Sequence, residues 1–321
     1  MTKFPIFDVE KYFKANEIER KKTSKEVDLI CKNSGFLAIK NHGVKKSIVD
    51  DIWNATETFF SLSSGLKNES KAPFDGYPYG YLGPGKEALA ASKGMDTPPD
   101  LKESFNGGPL LKPKNMSDPD ALSFCYAETI WPNAPIEFKS AWVAYYQEME
   151  ILASRIMKIF ALALNLKETF FESYINQPIS ALRALNYPAQ EKIPEKGQLR
   201  AGAHSDYGSL TILLPEANSV GLEILTPNGE WEFVPAIPNT FIINIGDLMA
   251  RWTNDRWVST LHRVANKSST NKRQSLAYFH QPNWEAKIKC LPCCLEDGET
   301  PKYPMTQSGP YLMEKFKSTN R

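Results

Sequence analysis

The sequence predicts a mainly β protein with flanking helices and a jelly-roll core. Five short apolar runs follow Pro178 and are separated by turn residues, at Leu210–Leu214, Gly221–Leu225, Trp231–Ile237, Thr240–Ile245 and Ser275–Phe279. Asn228-Gly229 lies between two of these runs and is typical of a β-hairpin turn. Closely spaced strands without intervening helices indicate an antiparallel sandwich or barrel, for which a jelly roll is the natural candidate.

Helices are predicted before this β region. Apolar residues recur at steps of three and four between Ile48 and Phe59, which is one face of an amphipathic helix. The clearest helical pattern runs from about Ile136 to Leu164, and we expect this helix to support a sheet. Residues 76–110 are rich in Gly, Pro and Tyr, which predicts a long irregular segment that acts as a lid or binding loop.

The chain shows no composition break that would mark a linker, and no internal repeat. We therefore expect one domain over residues 1–321. Within it we distinguish an N-terminal α/β portion at 1–120, the jelly-roll core at about 178–285 and a C-terminal segment at 286–321.

The composition disfavours several classes of function. Lys and Arg total 38 against 37 Asp and Glu, and no basic block stands out, so a nucleic-acid or anionic-membrane partner finds no electrostatic support. The N-terminus lacks the apolar run of a signal peptide, and no stretch approaches membrane-spanning length. We expect a soluble cytoplasmic protein that acts on a small molecule. The sequence carries no signal of its oligomeric state.

The five cysteines argue against a disulfide framework, because their number is odd and the chain is large. Cys290, Cys293 and Cys294 resemble half of a zinc site. No second Cys or His pair lies at a matching interval, so we interpret them as ordinary thiols near a surface strand.

The chemistry of the chain concentrates at His204 and Asp206. In an extended segment, residues two apart point to the same face, so this imidazole and carboxylate can bind one ion. His262 is the candidate third ligand, brought near by the sheet. Two histidines and one carboxylate on one face of an octahedron leave three positions open, which suits iron(II) and dioxygen chemistry. Zinc accepts the same ligands, so a zinc hydrolase stays open at this point.

A second polar pair follows the third candidate ligand. Arg273 and Ser275 open the last predicted strand and share one of its faces. An arginine fork binds a carboxylate through two hydrogen bonds, and the serine hydroxyl adds a further donor.

These motifs occur in an order that resembles the isopenicillin-N-synthase-like branch of the iron(II)/2-oxoglutarate-dependent oxygenases. The resemblance covers nearly the whole chain, and the ordered set is far more specific than any one member. The motifs are Ser34-Gly35-Phe36 to His42-Gly43-Val44, Asp100-Leu101-Lys102-Glu103-Ser104-Phe105, Asn186-Tyr187-Pro188, Ala203-His204-Ser205-Asp206-Tyr207-Gly208, Gly246-Asp247-Leu248, Arg251-Trp252-Thr253-Asn254-Asp255, His262-Arg263-Val264 and Arg273-Gln274-Ser275.

The resemblance implies a double-stranded β-helix, or jelly roll, that binds iron with His204, Asp206 and His262. It implies a dioxygenase that uses Fe(II), O2 and 2-oxoglutarate and releases succinate and CO2, with hydroxylation as the default outcome. Arg273 and Ser275 would then bind the distal carboxylate of 2-oxoglutarate, and Tyr187 would donate a hydrogen bond to it. Two alternatives stay open, namely an iron oxidase of the same fold that uses no 2-oxoglutarate, and a non-catalytic metal-binding jelly roll.

Other polar residues have weaker interpretations. Asn186 directly precedes Tyr187, whereas many plant relatives place one more residue between the two, so Asn186 is a weak candidate co-substrate contact. By alternation, Arg183 shares a face with Tyr187 and is either a partner for an anionic substrate group or a salt-bridged structural residue. Phe279 falls on the face of Arg273 and is a candidate pocket wall.

Two further histidines complete the set of four. His280 either lines the pocket or is exposed at a strand end. His42 is interpreted as a structural turn residue.

Overall fold

The computed structural model describes residues 4–87, 89, 98–189, 198–266 and 272–319. The strands are β1 (Ile6–Asp8), β2 (Phe36–Lys40), β3 (Gly80–Leu82), β4 (Glu103–Gly107), β5 (Ala181–Tyr187), β6 (Ala201–His204), β7 (Leu210–Pro215), β8 (Leu222–Leu225), β9 (Trp231–Phe233), β10 (Phe241–Ile245), β11 (His262–Val264), β12 (Arg273–His280), β13 (Lys287–Ile288) and β14 (Thr306–Gln307). The α-helices are α1 (Val9–Lys14), α2 (Glu17–Asn33), α3 (Lys46–Ser61), α4 (Ser64–Asn68), α5 (Pro119–Ser123), α6 (Phe138–Ala163), α7 (Asp247–Trp252) and α8 (Ser308–Thr319).

Two sheets form the β core. The major sheet has the strand order β1-β2-β10-β7-β12-β5-β4-β3, and the minor sheet has the order β6-β11-β8-β9. Every pairing in these two sheets is antiparallel except that of β1 with β2. Side chains of both sheets pack together, for example Leu185 and Ala277 of the major sheet with Ile224 and Val264 of the minor sheet.

The helices α2, α3 and α6 form a layer on the outer face of the major sheet. The long helix α6 has the predicted apolar stripe, with Trp142, Tyr145 and Tyr146 fully buried, and it packs against α2 and α3. It begins at Phe138 rather than at Ile136, whose side chain is exposed. The helix α2 begins with a capping box between Asn16 and Glu19, which satisfies backbone N–H groups at its first turn.

The prediction of one long irregular segment at 76–110 was wrong in part. The strands β3 and β4 lie within it and join the edge of the major sheet beside β5. Because β4 carries buried polar residues such as Glu103 and Ser104, it lacks the apolar run by which a strand is recognised. Residues 88 and 90–97 of this segment lie outside the described part of the chain.

No helix in the described part of the chain combines the length and the apolar character needed to cross a membrane.

Candidate metal centre and its cavity

The structure brings His204, Asp206 and His262 together through one strand pairing. His204 ends β6 and His262 begins β11, and the two residues face each other in the antiparallel register. Asp206 follows His204 by two residues. Its Oδ1 lies 3.9 Å from His204 Nε2 and 3.7 Å from His262 Nε2, and the three ligand atoms lie within 4.8 Å of one another. Within the described residues, this is the one group of three or more such side chains that could hold a metal ion.

Backbone carbonyl groups orient both imidazoles. His204 Nδ1 lies 2.7 Å from the carbonyl oxygen of Gly202, and His262 Nδ1 lies 3.2 Å from that of Thr260. A carbonyl oxygen can only accept, so each Nδ1 carries the proton and donates it. Each Nε2 then carries no proton, and its lone pair is directed toward Asp206 Oδ1. Metal-binding histidines require this arrangement.

Two donors from the major sheet hold the carboxylate. Asp206 Oδ2 accepts a hydrogen bond of 2.5 Å from Thr211 Oγ1 and one of 2.7 Å from Asn244 Nδ2. These two residues are direct partners in the pairing of β7 with β10. We name Thr211 and Asn244 the carboxylate clamp. It leaves Oδ1 directed at the histidines, so that Asp206 offers one oxygen to a metal.

The sequence interpretation missed the carboxylate clamp. A signal for Asn244 exists, because it is a buried polar residue inside the apolar run Phe-Ile-Ile-Asn-Ile of β10. Such a residue needs a hydrogen-bonding partner. Nothing in the sequence identifies that partner as Asp206, since the pairing of β7 with β10 joins residues far apart in the chain.

Burial and mutual charge set the protonation of the ligands. Burial, reinforced by the neighbouring His262, lowers the pKa of His204 to about 3. Burial alone would raise the pKa of Asp206, but His262, His204 and the carboxylate clamp together lower it. A neutral imidazole and an ionised carboxylate are the forms that bind metal, so this site fits a divalent cation at neutral pH.

The predicted co-substrate residues lie in the same cavity, which has a volume of about 680 Å³. Arg273 and Ser275 are buried and face it from β12, and Tyr187 faces it from β5 as the direct partner of Arg273. The Arg273 guanidinium lies 5.0 Å from the Tyr187 ring centre. Its Nε donates to Ser219 Oγ at 3.4 Å, whereas its Nη1 is buried and has no hydrogen-bonding partner among the described residues. A buried guanidinium in the wall of a cavity is suited to bind an incoming carboxylate.

The tentative substrate residues Arg183 and Phe279 also line the cavity. Arg183 Nη2 donates a short hydrogen bond to Glu87 and one of 2.9 Å to Ser104 Oγ. Although burial opposes it, the cations Arg183 and Lys102 lower the pKa of Glu87 to about 2, so Glu87 is ionised. Arg183 therefore reaches the cavity, as alternation predicts, but already has a counter-ion. The sequence interpretation missed Glu87, because no local sequence pattern relates it to Arg183, from which it is 96 residues away.

The remaining candidates point elsewhere. Asn186 Nδ2 donates to Glu103 Oε1 at 2.8 Å, and the residue is not among those that line the metal cavity. Both interpretations of His280 were wrong, because it is 2% exposed and pairs with Ser209 at 2.7 Å on the opposite face of β12. His42 lies in its turn with its ring centre 4.4 Å from that of Phe241.

All five cysteines are free thiols, and within the described residues Cys290, Cys293 and Cys294 form no metal-binding group.

Comparison with known proteins decides the family. The 2OG-Fe(II) oxygenase superfamily model matches residues 178–282, and the model of the non-haem dioxygenase in morphine synthesis N-terminal region matches residues 4–134. A 2-oxoglutarate-Fe(II) type oxidoreductase of Emericella nidulans is 30% identical over 316 residues, which cover 94% of this chain and 85% of that protein. The chain belongs to the 2OG-Fe(II) oxygenase superfamily. A homoarginine-6-hydroxylase of Oryza sativa subsp. japonica is 31% identical to this oxygenase, over 90% of this chain and 87% of that one.

Solved structures agree with the fold of this oxygenase. A full-length Neurospora crassa protein in complex with alpha-KG superimposes with a TM-score of 0.86 at 29% identity, over 98% of this chain and 96% of that one. The same protein in complex with alpha-KG and thymine gives a TM-score of 0.86 at 28% identity, over 98% and 97% of the two chains. The predicted jelly-roll core with flanking helices is confirmed, and so is the predicted reaction class. The protein is an Fe(II)- and 2-oxoglutarate-dependent dioxygenase, and O2 is the co-substrate of its family. The 2-oxoglutarate-independent oxidase and the non-catalytic binding protein are not supported.

Proposed function

We propose that His204, Asp206 and His262 hold the Fe(II) of this dioxygenase, and that Arg273 and Ser275, with Tyr187, bind the distal carboxylate of 2-oxoglutarate. The observation that carries this proposal is the placement of both groups in one cavity: three ligand atoms lie within 4.8 Å of one another, and the buried residues Arg273 and Ser275 line the same cavity. Two histidines and one carboxylate leave coordination positions for a co-substrate and dioxygen.

When bound, iron supplies the redox chemistry that couples decarboxylation of 2-oxoglutarate to oxidation of the substrate. We propose hydroxylation as the outcome: one oxygen atom of O2 enters a substrate C–H bond to give C–OH, the other enters succinate, and CO2 is released. The role of the chain is to present two imidazole nitrogens and one carboxylate oxygen in fixed positions. Arg273 balances the charge of the distal carboxylate of 2-oxoglutarate, and the largely apolar cavity wall limits the access of water.

The experiment is to measure succinate formed from 2-oxoglutarate in the presence of Fe(II) and O2, in the wild type and in ligand variants. We expect His204→Ala and Asp206→Ala to abolish succinate formation and tight metal binding. His42→Ala is the matched control, since His42 lies in a turn outside the cavity. Succinate formation that survives in His204→Ala at the wild-type rate contradicts the ligand assignment.

Finer points rest on separate observations. We propose that the chain is one domain with its jelly-roll core at about 178–285, because β1 to β4 of the N-terminal portion join the major sheet. We assign it to the isopenicillin-N-synthase-like branch on the order of its motifs.

A cytoplasmic location is supported by five free thiols, which a reducing compartment preserves. A small molecule, rather than a nucleic acid, suits the net charge of +1.

We propose that Arg183 and Phe279 contact the substrate. Both line the cavity, and Phe279 is paired in the sheet with Thr211 of the carboxylate clamp. A residue at this level of the sheet lies close to the proposed metal ligands. The test is the kcat/KM of Phe279→Ala with a turned-over substrate, at saturating 2-oxoglutarate. We expect a loss of about tenfold or more in kcat/KM with little change in the KM for 2-oxoglutarate. An unchanged kcat/KM contradicts the contact.

A further inference from the structure

The strand that carries His204 is irregular immediately before that residue. After the facing pair His204–His262, the register of β6 with β11 shifts by one residue, so that β6 has two residues where β11 has one. This is the pattern of a β-bulge, which disrupts the ladder locally and is used beside active sites to re-aim a side chain. Because β6 is also an edge strand of the minor sheet, strand pairing alone holds this part of the backbone weakly.

Gly202 is one of the two bulged residues, and it orients the His204 imidazole. Its carbonyl oxygen lies 2.7 Å from His204 Nδ1 and accepts the hydrogen bond that keeps the proton on this nitrogen. A glycine has no Cβ, so its backbone has more conformational freedom than that of any other residue. The direction of this carbonyl, and with it that of the imidazole, therefore depends on the contacts that hold Gly202.

Asp100 supplies such a contact from the segment that precedes β4. Its Oδ1 accepts a hydrogen bond of 2.9 Å from the backbone N–H of Gly202. Its Oδ2 accepts one of 3.2 Å from the backbone N–H of Leu89 and lies 2.5 Å from Lys102 Nζ. Since both oxygens have partners and the side chains of Asp100 and Lys102 are 2% and 1% exposed, the carboxylate is fixed in position.

The stability of the fold is a weak explanation for these buried charges. Removal of an ion pair from water is costly, and well-packed apolar residues in its place often give a protein of equal stability. The pair of Asp100 and Lys102 also belongs to a larger cluster, since Lys102 lies 3.4 Å from Glu87, which pairs with Arg183. Fixing one register of neighbouring segments is the best-attested use of such buried pairs.

We propose that Asp100 is a positioning residue for the metal centre: through its hydrogen bond to Gly202 it fixes the backbone whose carbonyl orients His204. This inference rests on the proposed function, because it takes His204 as a ligand of Fe(II). Lys102 in turn holds the Asp100 carboxylate. Asp100 is not among the residues that line the cavity, so it acts through Gly202 alone.

The test compares Asp100→Leu with Asp100→Asn, two variants of similar shape that both lack the charge. Asparagine keeps an oxygen that can accept from Gly202, whereas leucine has none. The apo form of the full chain is titrated with Co(II). We expect Asp100→Leu to raise the Kd for Co(II) about tenfold, the lower end for loss of an outer-shell partner, and Asp100→Asn to stay within about threefold of the wild type. Equal Kd values for Co(II) in the two variants overturn the proposal.

The tautomer of His204 is a second readout, which a purely structural role of Asp100 would not change. The chain has four histidines, so the imidazole 15N signals are few, and His204→Ala identifies those of His204. In the metal-free wild type at neutral pH we expect the proton on Nδ1. Asp100→Leu should give a mixture of the Nδ1 and Nε2 tautomers, whereas Asp100→Asn should keep the proton on Nδ1. An unchanged tautomer in Asp100→Leu overturns the proposal.

Glu103→Gln is the matched control for the loss of a buried charge. Glu103 lies three residues beyond Asp100 and is similarly buried, but it pairs with Lys67 at 2.8 Å and not with β6. The Kd for Co(II) of this variant should stay within about threefold of the wild type, and a rise equal to that of Asp100→Leu overturns the proposal. If Asp100→Leu fails to fold, Asp100→Ala takes its place, since it also lacks the acceptor. A tenfold rise in Asp100→Asn overturns the proposal without either variant.

Failure of the proposed function is distinguishable from failure of this inference. Binding of Co(II) by His204→Ala at the wild-type affinity contradicts the proposed function, and the inference with it. Loss of Co(II) binding in His204→Ala, together with equal Kd values in Asp100→Leu and Asp100→Asn, supports the proposed function and overturns the inference alone.

Discussion

Substitution of Thr211 by valine tests the carboxylate clamp with little change of shape. It removes the 2.5 Å hydrogen bond to Asp206 Oδ2 and leaves the 2.7 Å bond from Asn244 in place. A hydrogen bond to a charged acceptor is worth about 1.5–3 kcal/mol, and loss of an outer-shell partner lowers metal affinity about 10–100-fold. Since 1.4 kcal/mol is about tenfold in an equilibrium constant, these two ranges agree. Because Asn244 still holds the carboxylate, we expect the lower end, an increase of about tenfold in the Kd for Co(II).

The assay is a titration of the apo protein with Co(II), together with unfolding at a fixed excess of the metal. A tenfold weaker Kd reduces the metal-dependent gain in unfolding free energy by about 1.4 kcal/mol. Thr240→Val is the matched control, since Thr240 is equally buried but donates to the carbonyl oxygen of Ile237 at 2.8 Å, outside the site. Equal Kd values for Co(II) in Thr211→Val and Thr240→Val would refute the clamp.

Three further results are expected. Arg273→Gln should raise the Kd for 2-oxoglutarate about 30-fold or more, because it removes a buried partner of the carboxylate worth about 2–5 kcal/mol. The Kd for Co(II) should stay unchanged. Equal Kd values for 2-oxoglutarate in the variant and the wild type contradict the assignment. Burial lowers the pKa of His280 from 6.5 to about 3, so only the unfolded chain takes up this proton between those values. The unfolding free energy should therefore fall by about 2 kcal/mol from pH 7 to pH 5 through this residue, and His280→Gln should lack that part of the slope, as denaturant titrations at both pH values will reveal. A fragment of residues 108–321 lacks β1 to β4 and should show no cooperative unfolding by circular dichroism; cooperative unfolding of the fragment contradicts the single domain.

The sequence could locate the proposed metal ligands because their pattern is local. His204 and Asp206 lie two residues apart, and an extended backbone directs both side chains to one side. The third proposed ligand, His262, comes close to them when β11 pairs with β6, as it does in this jelly roll. The same alternation predicts that Arg273, Ser275 and Phe279 share one face.

What the sequence could not predict depends on pairings between distant segments. The carboxylate clamp requires the register of β7 with β10, and the counter-ion of Arg183 comes from Glu87, which is 96 residues away in the chain. The strand β4 was missed for a related reason. Its buried polar residues find partners only in the folded sheet, as Glu103 does with Lys67 at 2.8 Å.

The two faces of β12 explain how the helices α3 and α6 help to position the cavity residues, although neither helix contributes a proposed metal ligand. The even residues of β12 face the helices, where Tyr278 packs on Tyr146 of α6 and Gln274 donates to Thr56 of α3 at 2.8 Å. A slip of the strand by one residue would move these side chains into the cavity and would remove Arg273 and Ser275 from it. Because the hydrogen bond of Gln274 and the packing of Tyr278 both oppose this slip, contacts outside the cavity fix the register on which the chemistry inside it depends.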